Sequence, residues 1–305
     1  MKKKPKLIFI IDGNFFAWRA YKTRNLSTSS GRQTSVISGM LQMIKGLHEE
    51  FRYNRLVICW DPPDGSQFRK KLFPEYKANR KESREKNQSL FEQIADARRF
   101  FEALNVRQAI LPGIEGDDVM ALVAFGYADK GHRTIICSAD RDLLQLIRPG
   151  VKIYRPNTKQ LVGRKEFADM YSGLKPSDLV KIKSIMGDKG DNIPGIPGIG
   201  EKGAIEIVKS FRTIEQIMTR RTINKKVILV RKHIKQVELA YNLVKILRVP
   251  EELPKKQRRM FLSTMKSFRG CRTIDWMKLK KEFHRLELRH RNFNAIAEQL
   301  TLVYE

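Results

Sequence analysis

Short apolar runs rich in Ile and Val recur through the first half of the chain, at 7–11, 56–60 and 134–137. Runs of that length and composition, bounded by polar residues, predict strands buried on both faces. Between them lie longer stretches with apolar residues at i, i+3 and i+4 spacing, over 36–50, 90–104 and 119–130, which predict amphipathic helices. A further strand pair is predicted around 106–110 and 151–154. Strands alternating with helices predict an α/β fold with a central, mostly parallel sheet flanked by helices. Each of the three clear strands runs into a carboxylate: Ile11 into Asp12, Trp60 into Asp61, and Cys137 through Ser138 and Ala139 into Asp140. In open parallel sheets the ligand crevice lies beyond the carboxyl ends of the strands, so these acids are expected to gather at one rim.

From about residue 175 the pattern changes to short helices, a Gly and Pro cluster over 187–200, and a basic remainder, which divides the chain into a core over 1–174 and a second subdomain over 175–305. Charge sharpens this picture. The 305 residues carry 60 Lys plus Arg against 33 Asp plus Glu, a net +27, of which +14 falls in 201–305, a balance that points to a polyanionic partner such as nucleic acid. No apolar run approaches the roughly 18 residues needed to cross a bilayer, and the five apolar residues after MKKKPK are too few for a signal peptide. A cytoplasmic protein without a membrane partner is expected. Cys59, Cys137 and Cys271 are odd in number and far apart, suggesting neither a disulfide framework nor a zinc site but reduced core thiols. No HExxH pair occurs among the five histidines, so any metal must be held by oxygen.

Oxygen ligands are abundant. Besides Asp12 and Asp61 the chain has Glu115, Asp117 and Asp118 in IEGDDVMALV, Asp140 and Asp142 in SADRDLLQL, and Asp188 and Asp191 in MGDKGDNIPG. Taken alone, a single acid here reads more readily as a helix cap or turn residue; Asp117 and Asp118 open a helix, where the dipole favours acids in any case. Three strand ends converging with acid pairs point instead to a site. Crowding carboxylates is unfavourable by about 1 to 4 kcal/mol per pair at 4 Å, and divalent cations relieve it. Magnesium suits such an all-oxygen set, and two ions about 4 Å apart are the usual arrangement for phosphodiester hydrolysis.

Two further segments suit nucleic acid. Between Phe68 and Lys86, eight Lys and Arg residues, Arg69 and Lys70 among them, lie among Phe68, Phe73 and Tyr76, a mixture suited to a frayed single strand. The glycine-rich turn 195–200 precedes a helix predicted over 201–211, whose exposed amides can cradle phosphate. Gly198, Gly200 and Gly203 also satisfy GxGxxG, but Asn192, Ile193, Pro194 and Pro197 break the strand that a dinucleotide fingerprint requires before it.

In order, IDGNFFAWRAY, WDPPDGSQFRKKLFPEYKANRK, GIEGDDVMALVA, CSADRDLLQL and IMGDKGDNIPGIPGIGEKGA resemble the 5′ nucleases, the family that includes the 5′ to 3′ exonuclease domain of bacterial DNA polymerase I and the phage flap endonucleases. The likeness extends over about 7–211 and weakens beyond. It implies a PIN-like or resolvase-like core with a helical arch at about 68–100, and a helix-hairpin-helix subdomain. Asp12, Asp61, Glu115, Asp117 and Asp118 resemble one metal cluster, and Asp140, Asp142, Asp188 and Asp191 a second, for two Mg2+ ions that Mn2+ can replace. By the same resemblance Lys77 and Arg80 contact the scissile phosphate, Tyr76 stacks on a terminal base and Arg69 binds substrate. Gly195, Gly198, Gly200 and Lys202 hold the duplex backbone, where a K+ ion on main-chain carbonyls is also allowed. Gly116 stands where the family more often has Ala, a change expected to loosen the aim of Glu115 and Asp117 slightly.

The implied activity is a stand-alone, monomeric, structure-specific 5′ nuclease of replication and repair. It would act on DNA with a 5′ single-stranded end, flap or nick, and on RNA–DNA hybrid during primer removal. Two rivals are a junction-binding protein of the same fold without catalysis and a ribonuclease on a related fold. The complete acid set disfavours the first, and the arch and helix-hairpin-helix segments disfavour the second.

Overall fold

A computed structural model describes residues 4–80, 87–211, 213–269 and 273–288. Six strands, β1 (Leu7–Asp12), β2 (Arg55–Cys59), β3 (Arg107–Ala109), β4 (Arg133–Cys137), β5 (Val151–Arg155) and β6 (Gln160–Val162), form one sheet in the order β3-β2-β1-β4-β5-β6. The first five pair in parallel and β6 runs antiparallel to β5. Strand order reverses where β1 meets β4, and at such a switch point the flanking connections diverge and leave a crevice beyond the strand ends. Asp12 ends β1, Asp61 follows β2, and Asp140 follows β4, so the topology alone brings these acids to that crevice.

The β-branched runs form strands because both sheet faces are covered. Ile8, Ile10, Val57, Cys59 and Ile136 point into one core, and Phe9, Ile11, Leu56, Ile58, Ile135 and Cys137 into the other, the period of two that a pleat imposes. Helix Gly116–Ala128, buried at every position from Asp118 to Phe125, lies in the first core. Helices Gly13–Thr23, Ser35–Phe51 and Gln88–Ala103 cover the second face. Trp60 closes this core and donates from Nε1 to Gln108 Oε1 at 2.8 Å. Cys59 and Cys137 are buried free thiols, as expected, while Cys271 lies outside the described residues.

Beyond residue 175, helix Leu179–Met186, the glycine-rich turn and helix Glu201–Ser210 form a helix-turn-helix unit, on which helices Lys225–Lys232 and Ile234–Val244 pack. Ile182, Ile185, Ile196, Ile199 and Ile207 of this region join the first core, so the sheet and the second subdomain share apolar contacts. No described helix is long and apolar enough to cross a membrane.

Three features go beyond the predicted pattern. Helix Gly13–Thr23 follows β1 immediately, where no helix was predicted; Asp12 caps it by accepting from Phe15 N at 2.9 Å. The 68–80 part of the arch is not one helix but a short helix Gln67–Lys70, turns, and a single 3-10 turn Ala78–Arg80. The reason is local: Lys77 has φ +54° and its N–H donates to Asp191 O at 2.9 Å instead of within a helix. Lys81, Arg84 and Lys86 lie outside the described residues. Lastly, β6 is an edge strand without a clear apolar period.

Gly187 and Gly195 make the closest backbone approach in the second subdomain. Gly187 has φ +75°, and a Cβ on Gly195 would lie 1.9 Å from Met186 O. Backbone cannot yield as a flexible side chain does. Gly195→Ala is therefore expected to lower the unfolding free energy by about 3 kcal/mol or more, and thermal melting by several degrees. Gly200→Ala, where a Cβ meets nothing within 4 Å, serves as the control and should melt near the parent temperature. Equal melting of the two variants would contradict this account of the turn.

Candidate active site

At the carboxyl rim, hydrogen bonds from nearby residues aim several of the acids. Asp12 accepts from Phe15 N at 2.9 Å and from Ser138 Oγ at 3.0 Å, which links β1 to β4. Asp61 donates its N–H to Asn14 Oδ1 at 2.9 Å and accepts from Gly116 N at 2.6 Å. Asp140 accepts from Asp142 N at 2.8 Å, and Asp188 from Gly190 N at 2.8 Å. Gly116 also sits directly against Asp61. A Cβ there would stand 3.1 Å from the Asp61 carboxylate, a tight contact that glycine avoids.

A narrow crevice of about 120 Å³ is lined by Asp12, Asp61, Lys77, Glu115, Asp117 and Asp140, among others. Next to it a wider groove of about 870 Å³, sharing Asp12, Asp140 and Asp142, runs past Lys183 and Asp188 to Gly200. Burial and mutual repulsion raise several of these acids. Burial, then Asp61, pushes Asp12 up to about 7, and burial, then Asp140, pushes Asp142 up to about 6. Burial raises Asp117 well above the usual carboxylate range, with Asp140, Asp61 and Asp12 adding to it. Asp61 and Asp191 are raised too, chiefly by burial.

Two ammonium groups stand among these acids. Lys183 pairs with Asp142 and with Asp188 at 2.7 Å, and together with the Asp191 and Gly190 amides it holds Asp188 low despite its burial. Lys77 pairs with Glu115 and, at 3.7 Å, with Asp191, while Arg80 pairs with Asp191. With the lysines so placed, no three acids among the described residues close around one point. The donor set nevertheless fits divalent ions: it is all oxygen, and burial, with neighbouring carboxylates adding to it, raises Asp12, Asp117 and Asp142 above their ordinary range.

Three predicted contacts take other roles. Asp118 is wholly buried, and both its oxygens are used by Arg69, at 2.6 and 3.0 Å, and by Leu247 N at 2.9 Å, so it has no lone pair facing the crevice for a metal. Arg69 is buried, not presented to substrate. Its fork makes five hydrogen bonds, to Asp118 twice, Glu115 at 2.7 Å, Leu243 O at 2.7 Å and Lys245 O at 3.0 Å. Tyr76, also buried, donates its hydroxyl to Glu115 at 2.9 Å and Asp191 at 3.2 Å and packs with Ile193 and Val244, so its ring is not free to stack on a base. Burial opposes Glu115 ionising, but Arg69 and Lys77 hold it below its ordinary range. Of the glycine-rich turn, Gly198, Gly200 and Lys202 are exposed, whereas Gly195 lies against Met186. Asn14, Ser138 and Lys183 have site roles that were not predicted. A lysine five residues before an acid gives no sequence signal of its own.

An α/β sheet whose switch-point rim gathers acids from five chain segments, beside a helix-turn-helix unit, defines a class of phosphodiester-cleaving nucleases. Residues 7–172 match the family described as 5′-3′ exonuclease, N-terminal resolvase-like domain, and residues 174–261 match 5′-3′ exonuclease, C-terminal SAM fold. A 5′-3′ exonuclease of Buchnera aphidicola is 31% identical over 71% of this chain and 74% of its own length. A DNA polymerase I of Chloroflexus aurantiacus is 33% identical over 70% of this chain, a match that spans only 23% of the polymerase. The fold is similar to that of the bacteriophage T5 flap endonuclease, solved as a complex with DNA and metal ions, with TM-score 0.66, 19% identity, and coverage of 92% of this chain and 100% of that one. The chain belongs to the 5′-3′ exonuclease family and is a nuclease, a hydrolase acting on phosphodiesters.

Arg69 links residues of three regions, and removing it would strand Asp118 as a buried, uncompensated charge. Arg69→Met is expected to lower the unfolding free energy by about 3 to 5 kcal/mol. Combined with Asp118→Leu, the loss should fall short of the sum of the two single losses by at least ~1 kcal/mol. Urea unfolding of the four proteins in the cycle measures this; strictly additive losses would show that the two side chains do not act as a unit.

Proposed function

We propose that the chain is a structure-specific 5′ nuclease that hydrolyses DNA phosphodiesters near the point where a 5′ single strand leaves a duplex. One observation carries this reading: acids from five separate chain segments meet at one rim, where burial and then neighbouring carboxylates raise Asp12 and Asp117, beside the two cations Lys77 and Arg80. Asp12, Asp61, Glu115 and Asp117 would hold one Mg2+ ion, and Asp140, Asp142, Asp188 and Asp191 a second; Asp118 is left to its pairing with Arg69. Mn2+ has the same oxygen preference and can replace Mg2+. Two such ions, when bound, supply Lewis-acid stabilisation of the charge that grows on the phosphoryl oxygens during hydrolysis.

The chain's own groups do the rest. Lys77, fixed by its left-handed backbone and by the Asp191 carbonyl, places an ammonium at the mouth of the crevice. It and Arg80 would bind the scissile phosphate once the ions take over the neutralising of Glu115 and Asp191. The amides at Gly198 and Gly200, at the start of helix Glu201–Ser210, and Lys202 would hold the duplex backbone without reading bases. The wider groove joins that turn to the crevice, so a strand held at one end would be led to the acids at the other.

On this reading the substrates are 5′ flaps, nicks and frayed 5′ ends, with RNA primers on DNA included, and the biological setting is replication and repair. A labelled 5′-flap duplex should be cut near its junction with Mg2+ and left intact with a chelator. Asp140→Asn with Asp188→Asn should slow cleavage by at least ~100-fold while flap binding survives. Parental cleavage by that double variant would remove the second metal cluster from the account.

A further inference from the structure

Between Glu252 and Asp275 the sequence has no acid, while Lys255, Lys256, Arg258, Arg259, Lys266 and Arg269 fall within it. All but Arg269 lie on helix Lys255–Ser267, 13 residues long and therefore about 20 Å. Lys255, Lys256, Arg259, Lys266 and Arg269 are exposed. Among the described residues, none of the five cations on this helix forms an ion pair, in contrast to Lys245 just before it, which pairs with Glu252 at 2.7 Å.

The position of the helix matters as much as its charge. Gln257 donates to Pro112 O at 3.2 Å, and the next residue, Gly113, accepts from Phe68 N at 3.1 Å, so the first turn of the helix stands at the arch base, three to five residues from Glu115 and Asp117. At the other end Phe268 O accepts from Arg107 Nε at 3.1 Å, which places the helix along the β3 edge of the sheet, from the acid rim towards its far end. The glycine-rich turn lies beyond Asp188, on the other side of the crevice.

We infer that helix Lys255–Ser267 is a second phosphodiester-binding surface, which takes the nucleic-acid backbone where it passes the crevice on the arch side. Unpaired, acid-free cations at the rim complement a polyanion that continues past the acids. An anionic membrane is a poorer partner, because the apolar face that would have to enter lipid is already used. Phe261 and Phe268 are buried in the protein core and Met265 packs on Gly126, leaving only Met260 and Leu262 outward. The inference needs binding, not cleavage, so it can fail while the nuclease reading holds.

The test replaces Lys255, Lys256 and Arg259 together by Gln and measures binding of fluorescent DNA by anisotropy, in chelator, from roughly 50 to 200 mM salt. Three substrates are compared: a flap with a long 5′ tail, the same junction without the tail, and the tail strand alone. The plot of log affinity against log salt is expected to be shallower for the triple variant by about 2 to 3, since each lost phosphate contact removes roughly 0.7 to 0.9. A change confined to tailed DNA assigns the helix to the single strand, and one shared with the tail-less junction assigns it to duplex. Lys255→Gln alone should change the slope by about 0.7 to 0.9, which keeps the test valid if the triple variant folds poorly. Unchanged slopes on all three substrates, with a parental melting temperature, would overturn the inference. So would an unchanged DNA slope accompanied by loss of binding to phosphatidylserine vesicles.

Discussion

Repulsion among buried carboxylates is the constraint to which the rest of this structure answers. A parallel sheet with a strand-order reversal delivers acids to one rim whether or not they repel, because the strand register places Asp12 beside Cys59 of β2 and Ile11 beside Cys137 of β4. Once there, they cannot all ionise without cations nearby. Asp12 and Asp142 respond by holding protons, while Lys77 and Lys183 offset Glu115 and Asp188. On the proposed reading, the crowding that would destabilise an ordinary surface is what divalent ions would relieve at this rim.

The crowding is tolerable because the surroundings are rigid. Arg69 uses its whole fork to tie Asp118 and Glu115, on either side of the helix start, to the carbonyls of Leu243 and Lys245. Tyr76 adds a hydroxyl shared by Glu115 and Asp191. Through these two residues the arch base, the acid helix and the second subdomain are joined by buried polar contacts.

Much of the fold was legible in sequence because fully buried strands and amphipathic helices leave strong periods. Ile and Val runs marked β1, β2 and β4 closely, and three helices fell within a few residues of their predicted spans. What sequence hid was of two kinds. Helix Gly13–Thr23 begins directly at a strand end and is nucleated by the same Asp12 that serves the site, so no loop announces it. Burial of individual polar side chains is the other kind. Arg69 among exposed basic neighbours, and Asp118 beside Asp117, look alike in sequence and differ only in what the folded chain packs around them. Charge density reads as surface until a partner for each charge is known, and the partners here are up to 176 residues away.

The central claim is that crowded acids keep protons which divalent ions displace, and calorimetric titration of Mg2+ into the protein near pH 6.5, in buffers of different ionisation enthalpy, tests it most directly. With Asp12 pushed up to about 7 by burial and Asp61, ion binding should release on the order of one proton per chain at that pH, and less as the pH rises past 8. Mg2+ binding without proton release, or no binding at all, would contradict it.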